Sequence, residues 1–287
     1  VRLDPTSDQI KKIKKCFGFN RFIYNWALTY QKENYEKGNK FINKYELKKL
    51  AIRLKEQEEL SWMKELPAKI LHQSIFDANI AFINFFKKKS EYPRFKSKKH
   101  SKQSFWNPDD IIEFTTRKVY LQKIGWIKLQ ERNRIPLVDK YSNPRITFDG
   151  LQYWISVGVE VDENKIEKKP KTESIGIDLG IKTLMTLSTG EVYEIPKTVK
   201  AIKKLKRLQR KVSRLYIKYR GVDKSKNLIR LEREILKQHK YITNRLNDNI
   251  HKATTKIVEA NPEFIVIEGL NVSGMMKNRH LSKAMAT

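Results

Sequence analysis

The chain carries 60 Lys and Arg against 32 Asp and Glu over 287 residues, a formal net charge of +28. That excess is far beyond what solubility requires, so a phosphate-rich polyanion is the expected partner, ahead of a membrane surface or a solvated face without a partner. With 39% hydrophobic and 10% aromatic residues the sequence can bury two domain cores. The lone cysteine, Cys16, excludes a disulfide framework or a Cys-x-x-Cys zinc site within these residues, and its neighbours Ile13 and Phe17 suggest a buried, inert thiol. No run of about 18 apolar residues predicts a membrane span and no signal-peptide pattern opens the chain. The expected compartment is therefore cytoplasmic, close to the nucleoid. Because the chain starts at Val1 rather than Met, the reading expects further residues in front of it and allows for more after Thr287.

Residues 1 to 4 suit a strand that leads into a helical region from about Pro5 to Lys89. There Ile10, Ile13, Phe17, Phe22, Ile23, Trp26, Ala27 and Tyr30 recur at three- and four-residue spacing, and Pro67 opens a further helix through Phe86. From Glu91 to Asp162 the pattern changes to short β-type runs, KVYLQKIGWIKLQ, RITFD and QYWISVGVEV, broken by Asn-Pro and Asp-Gly turns, which predict a small barrel or twisted antiparallel sheet. The charged, apolar-poor stretch 163–173 reads as a linker. From Ser174 onward SIGIDLG is an apolar strand, LMTLSTGEVYEI a hairpin turning at Thr189-Gly190, and helices run from about Val199 to Ala260 before the buried strand FIVIEGL. The predicted fold class is thus α+β and multidomain, ending in an RNase H-like α/β sheet.

Asp178 and Glu268 each stand at the end of an apolar run, beside Gly180 and Gly269, whose missing side chains would let a phosphate approach the backbone. Paired acids at strand ends on a basic chain suit metal-assisted cleavage of nucleic acid, the acids holding Mg²⁺ and the Lys and Arg holding the polyanion. They are the candidate catalytic and metal-binding residues. A turn or cap residue is the plain alternative for each. His72 and the other histidines lack metal-ligand spacing.

GFNRFIYNWAL, YPRFKSKKHSKQSF, GIDLGIKTLMTLSTGE and FIVIEGLNVSGMMKNRHLSKA, taken in that order, resemble the transposon-encoded TnpB proteins, RNA-guided relatives of the type V CRISPR effectors. The resemblance implies a helical recognition lobe (5–90, with 1–4 as a first wedge strand), a wedge β-barrel (91–162) and a RuvC-like domain (174–287), working with a guide RNA from the transposon end on a double-stranded DNA target. It makes Asp178 the first RuvC acid and Glu268 the second. The family continues into a zinc ribbon and a third catalytic Asp that these residues do not contain, so the RuvC-like domain reads as incomplete and cleavage as weak or absent. Two explanations stay open: the ordered part of a complete nuclease, or a shortened relative that represses transcription by occupying its target, with the second preferred. A conventional RNase H-like transposase and a plain RNA-binding scaffold are the further alternatives.

Within that frame Arg94, Lys96, Lys98, Lys99 and Lys102 interleave with Tyr92, Phe95 and Phe105, a mixture suited to phosphate contacts and base stacking. A charged loop is the alternative. In 200–220, Leu205, Leu208, Val212 and Leu215 form an apolar stripe expected to pack on the following helix, while Lys203, Lys206, Arg207, Arg210 and Arg214 face a guide–target duplex. A coiled-coil dimer seam competes with that packing, although a monomer on one RNA is preferred. Lys69 and Gln73, one helical turn apart, are candidates for reading a short target-adjacent motif, since Lys pairs with a guanine edge and Gln with an adenine edge.

Overall fold

The computed structural model describes residues 1–160, 170–181, 183–219 and 225–278, so residues 163–169 of the expected linker, Lys182, Arg220 and residues 279–284 of the family-like segments lie outside the described residues. The chain divides into two compact units, Val1–Val161 and Asp162–Thr287.

The first unit begins with strand β1 (Arg2–Asp4) and helix α1 (Ser7–Glu36). A capping box starts α1: the Thr6 side chain accepts from the Gln9 amide, and the Gln9 side chain accepts from the Thr6 amide at 3.0 Å. Helix α2 (Lys44–Arg53) is capped by Asn43, and two 3₁₀ turns (Leu54–Glu56 and Glu58–Glu65) lead through Pro67 into α3 (Ala68–Phe86). Strands β2 (Gln103–Trp106), β3 (Glu113–Phe114), β4 (Lys118–Leu121), β5 (Gly125–Leu129), β6 (Ser142–Phe148) and β7 (Tyr153–Gly158) follow. They form a seven-stranded antiparallel sheet ordered β2-β6-β7-β1-β5-β4-β3. The N-terminal strand is its centre, with Leu3 opposite Leu129 on one side and Tyr153 on the other.

Among the described residues the outer strands β2 and β3 each have one strand neighbour, so of the two forms expected from sequence, a small barrel or a twisted antiparallel sheet, the structure shows an open, curled half-barrel. Helices and sheet share one core: Ile13, Phe17, Phe19 and Ile23 of α1 and Ile70, Leu71 and Ile75 of α3 join Val119, Ile127, Ile146 and Ile155 of the sheet. Phe105, expected to stack on bases, is 1% exposed and meets the Phe17 ring edge-on at 5.6 Å between centroids. It is a core residue. Burial pushes the Cys16 thiol up to about 12, which keeps it protonated and inert.

The second unit holds β8 (Ile175–Asp178), β9 (Thr183–Leu187), β10 (Val192–Glu194), α4 (Val199–Lys218), α5 (Lys226–Glu259), β11 (Ile265–Ile267) and α6 (Val272–Lys277). Its four-stranded sheet runs β10-β9-β8-β11. The first three strands are an antiparallel meander, whose second turn places Gly190 at φ +86°, and β11 joins β8 in parallel after the helices. A parallel neighbour cannot be reached by a tight turn, so the helices between β10 and β11 serve as its crossover. Ile175, Met185 and Leu187 pack on Ala253 and Ile257 of α5. Leu205, Leu208 and Val212 of α4 are buried against α5, where Leu228 is buried too, so the expected stripe packs within the chain.

A buried polar relay ties α1, α3 and β2 together. Asn20 Nδ2 donates to the Ser104 carbonyl at 2.9 Å, and Ser74 Oγ donates to Asn20 Oδ1 at 2.7 Å, with the Ile70 carbonyl also within 2.7 Å. Asn20→Leu strands the Ser104 carbonyl, whereas Ser74 can turn to Ile70, so the expected loss of stability is about 1–3 kcal/mol, measurable as a lowered urea midpoint with unchanged slope.

Candidate functional site

The parallel register sets Ile175 beside Ile265, Gly176 beside Val266 and Ile177 beside Ile267. Continued by one residue, it puts Asp178 beside Glu268 at neighbouring strand ends, and side chains at paired positions of parallel strands point to the same face. Both carboxylates line one open groove of about 480 Å³ with Thr186, Ser188 and Ile267. Ser188 fixes the adjacent strand: its Oγ accepts from the Gly176 amide at 3.0 Å and its own amide donates to the Gly176 carbonyl at 2.9 Å. The sheet thus brings together two acids that lie far apart in the chain.

The glycines have different surroundings. A Cβ on Gly180 would lie 2.8 Å from Thr183 Oγ1 and 3.0 Å from the Thr183 carbonyl, so Gly180 is required by the turn between β8 and β9. Around Gly269 the space is open. Among the described residues strand β11 has one strand neighbour, and its Val266 and Ile267 are 63% and 59% exposed. That exposure was not legible in FIVIEGL, which reads as a buried strand.

As a donor set, two hard oxygen ligands fit part of a Mg²⁺ site, because that ion takes one or two carboxylates and keeps several waters. Among the described residues no group of three or more His, Cys, Asp or Glu is arranged to hold a metal. Two-metal cleavage needs more carboxylate than this pair provides.

The basic residues fall into two kinds. On α4, Lys206, Arg210 and Arg214 line an open groove of about 410 Å³ with Gln209 and Ser213, and Lys203 lines a second with Lys197, Tyr241 and Arg245. Lys203, Lys206, Arg207, Arg210 and Arg214 are exposed and form no ion pair among the described residues. In the first unit Lys98, Lys99 and Lys102 are likewise exposed. Three other candidates have protein partners. Lys69 Nζ sits 2.5 Å from both carboxylate oxygens of Asp110, Arg94 pairs with Glu91, and Gln73 Nε2 donates to Asp77 at 2.8 Å. Lys96 lies over the Tyr24 ring, 3.7 Å from its centroid, where burial lowers its pKa. Tyr92 and Phe95 remain exposed.

No described helix is long and apolar enough to cross a membrane. A family model described as "Probable transposase" (OrfB of IS605 elements) matches residues 155–279, and a "Helix-turn-helix domain" model of the same family matches residues 1–40. Here Ser7–Glu36 is one continuous helix, so the second match carries a family relationship rather than a helix-turn-helix. The chain is 34% identical over 279 residues to "Putative RNA-guided DNA endonuclease InsQ" of Escherichia coli (strain K12), covering 96% of this chain and 67% of that protein. It is 30% identical over 296 residues to a "Putative RNA-guided DNA endonuclease" of Streptomyces pristinaespiralis, covering 99% and 69%. A shorter match, 30% over 111 residues, is to "Virulence protein VsdF" of Salmonella dublin.

Two outcomes follow from this geometry. Asp178→Asn and Glu268→Gln each weaken Mn²⁺ binding about tenfold or more, read by the loss of the free-ion signal in electron paramagnetic resonance. Replacing Lys206, Arg210 and Arg214 together by Gln makes the plot of log affinity for duplex DNA against log salt shallower by about 2 to 3, since each lost phosphate contact removes about 0.9.

Proposed function

The chain belongs to the transposon-encoded TnpB family, the OrfB proteins of IS605-type elements, and from that membership we propose that it is an RNA-guided, sequence-specific DNA-binding protein. The observation that carries the reading is that Asp178 and Glu268, each next in chain after the paired Ile177 and Ile267, line one groove at the strand ends, in the same unit as a helix whose cations line another. A guide RNA derived from the transposon supplies sequence specificity by base pairing, while the protein holds the duplex through its backbone and reads a short adjacent motif.

In this reading Lys203, Lys206, Arg207, Arg210 and Arg214 hold phosphates of the guide–target duplex, and Lys98, Lys99 and Lys102 hold RNA backbone. Lys69 and Gln73 read the adjacent motif. For that, Lys69 exchanges Asp110 for a base edge, which is a small cost because both partners are substantially exposed. Asp178 and Glu268 bind a hard divalent cation, Mg²⁺, whose chemistry when bound is to activate water and stabilise charge at a scissile phosphate. The two side chains position that ion at the strand ends, and Gly269 leaves room for the phosphate.

The 287-residue polypeptide is proposed to bind its target without cutting it efficiently and so to act by occupancy, as a repressor would. A third carboxylate brought to the groove converts occupancy to cleavage. A conventional transposase acting on terminal repeats without RNA is the competing reading.

The test is incubation of the chain, purified with its RNA, with matched and mismatched duplexes in Mg²⁺, scoring retention and strand breaks in the same tubes. Guide-dependent retention with few or no breaks is expected. Efficient cutting by this polypeptide contradicts the occupancy reading, and loss of all sequence selectivity contradicts RNA guidance altogether.

A further inference from the structure

At one end of the helical part of the first unit, the last turns of α1 and α3 and the loop at 37–43 enclose an aromatic pocket of about 540 Å³. Its walls are Tyr35, Phe41, Phe82, Phe86 and Tyr92. The loop is fixed rather than draped. Gln31, only 4% exposed, donates to the Ile42 carbonyl at 2.6 Å and accepts from the Ile42 amide at 3.2 Å, while Asn34 Nδ2 donates to the Lys40 carbonyl at 2.7 Å. Gly38, at φ +77°, makes the turn that ends α1. These bonds hold Phe41 with its ring centroid 5.7 Å from Phe82 and 5.4 Å from Phe86, and Tyr92 closes the other side at 5.8 Å from Phe82.

The pocket is open to solvent although its lining is apolar. Phe86 is 58% exposed and Tyr92 48%. An aromatic cavity left uncovered on a soluble unit marks a binding site. Its surroundings say what kind. Lys40 lines it, and Lys37, Lys87, Lys88 and Lys89 lie within a few residues of lining positions, none of them in an ion pair among the described residues. A second copy of this strongly basic chain would bring like charge to that rim. A phosphodiester chain brings the complementary charge, and its unpaired bases bring flat π faces.

We propose that this pocket stacks an unpaired nucleobase of the bound RNA on the face of Phe86, with Tyr92 bordering the same pocket and the rim lysines holding the flanking phosphates. The site shares no lining residue with the acidic pair's groove or the α4 groove, and it rests on the RNA-binding part of the function proposed above. Stacking of this kind tolerates any base, so the pocket fixes the path of a single-stranded segment rather than reading its sequence.

The experiment uses cells fed 4-thiouridine, from which the whole chain is purified with its RNA and irradiated, and cross-linked peptides are mapped. Cross-links at Phe86 or Tyr92 are expected. Phe86→Leu, which keeps apolar bulk without a π face, should weaken binding of a 20-nucleotide oligouridylate roughly tenfold, and Phe86→Trp should restore it, both with an unchanged thermal transition. RNA retained at wild-type affinity in Phe86→Leu, with no cross-link at either peptide, overturns the pocket while leaving RNA guidance standing. A purified chain that carries no RNA and ignores oligouridylate overturns both.

Discussion

Parallel pairing of β8 with β11 is the constraint on which the acidic site depends. Among the described residues neither acid forms a salt bridge or a side-chain hydrogen bond; what places them is backbone register, in which Ile175, Gly176 and Ile177 face Ile265, Val266 and Ile267. A slip of one residue would turn one carboxylate to the opposite face of the sheet. The register is anchored before β8 begins: around the Thr172–Pro262 bridge the Thr172 amide donates to the Asn261 carbonyl and the Glu263 amide donates to the Thr172 carbonyl, and the Ile175 amide donates to the Phe264 carbonyl, each at 3.0 Å. Ala253 and Ile257 of α5 then clamp Ile175 from one face. Long helices are needed because the crossover to a parallel strand must pass back along the sheet.

The same two helices carry charge on their outer side. Leu205, Leu208 and Val212 fix one face of α4 against α5, and 3.6-residue periodicity then leaves Lys206, Arg210 and Arg214 on a solvent-facing groove. Packing and electrostatics are therefore two readings of one sequence pattern. Like charges crowded on a single helix repel, and a polyanion relieves that repulsion.

Much of this was legible in the sequence, for identifiable reasons. The stripe in α4, the hairpin at Gly190, the helix after Pro67 and the two acidic strand ends all depend on local periodicity or turn chemistry. What escaped depends on partners remote in the chain. Phe105 sits among lysines and serines and reads as a stacking residue, yet β2 pairs with β6 and turns it onto Phe17. Lys69 reads as a free ligand because its partner Asp110 is distant in sequence, whereas the bond from Gln73 to Asp77, four residues on in the same helix, is of a kind that local spacing could have indicated. Barrel and open twisted sheet stay as alternatives in the sequence because alternation in a strand specifies its faces but not whether the last strand meets the first. The aromatic pocket was invisible because Gln31 and Asn34, which shape its loop, look like ordinary polar helix residues.

The central claim is that positions 178 and 268 are neighbours, and cysteine pairing tests it most directly. In a chain carrying Asp178→Cys and Glu268→Cys, adjacent in-register strands put the two Cα atoms about 5 Å apart, within disulfide range. Cys16 is buried and does not compete. The account predicts rapid formation, under mild oxidant, of a linkage between the peptides containing 178 and 268, without loss of the folded state. Free thiols at both positions after oxidation of the folded chain would contradict the pairing and, with it, the shared acidic site.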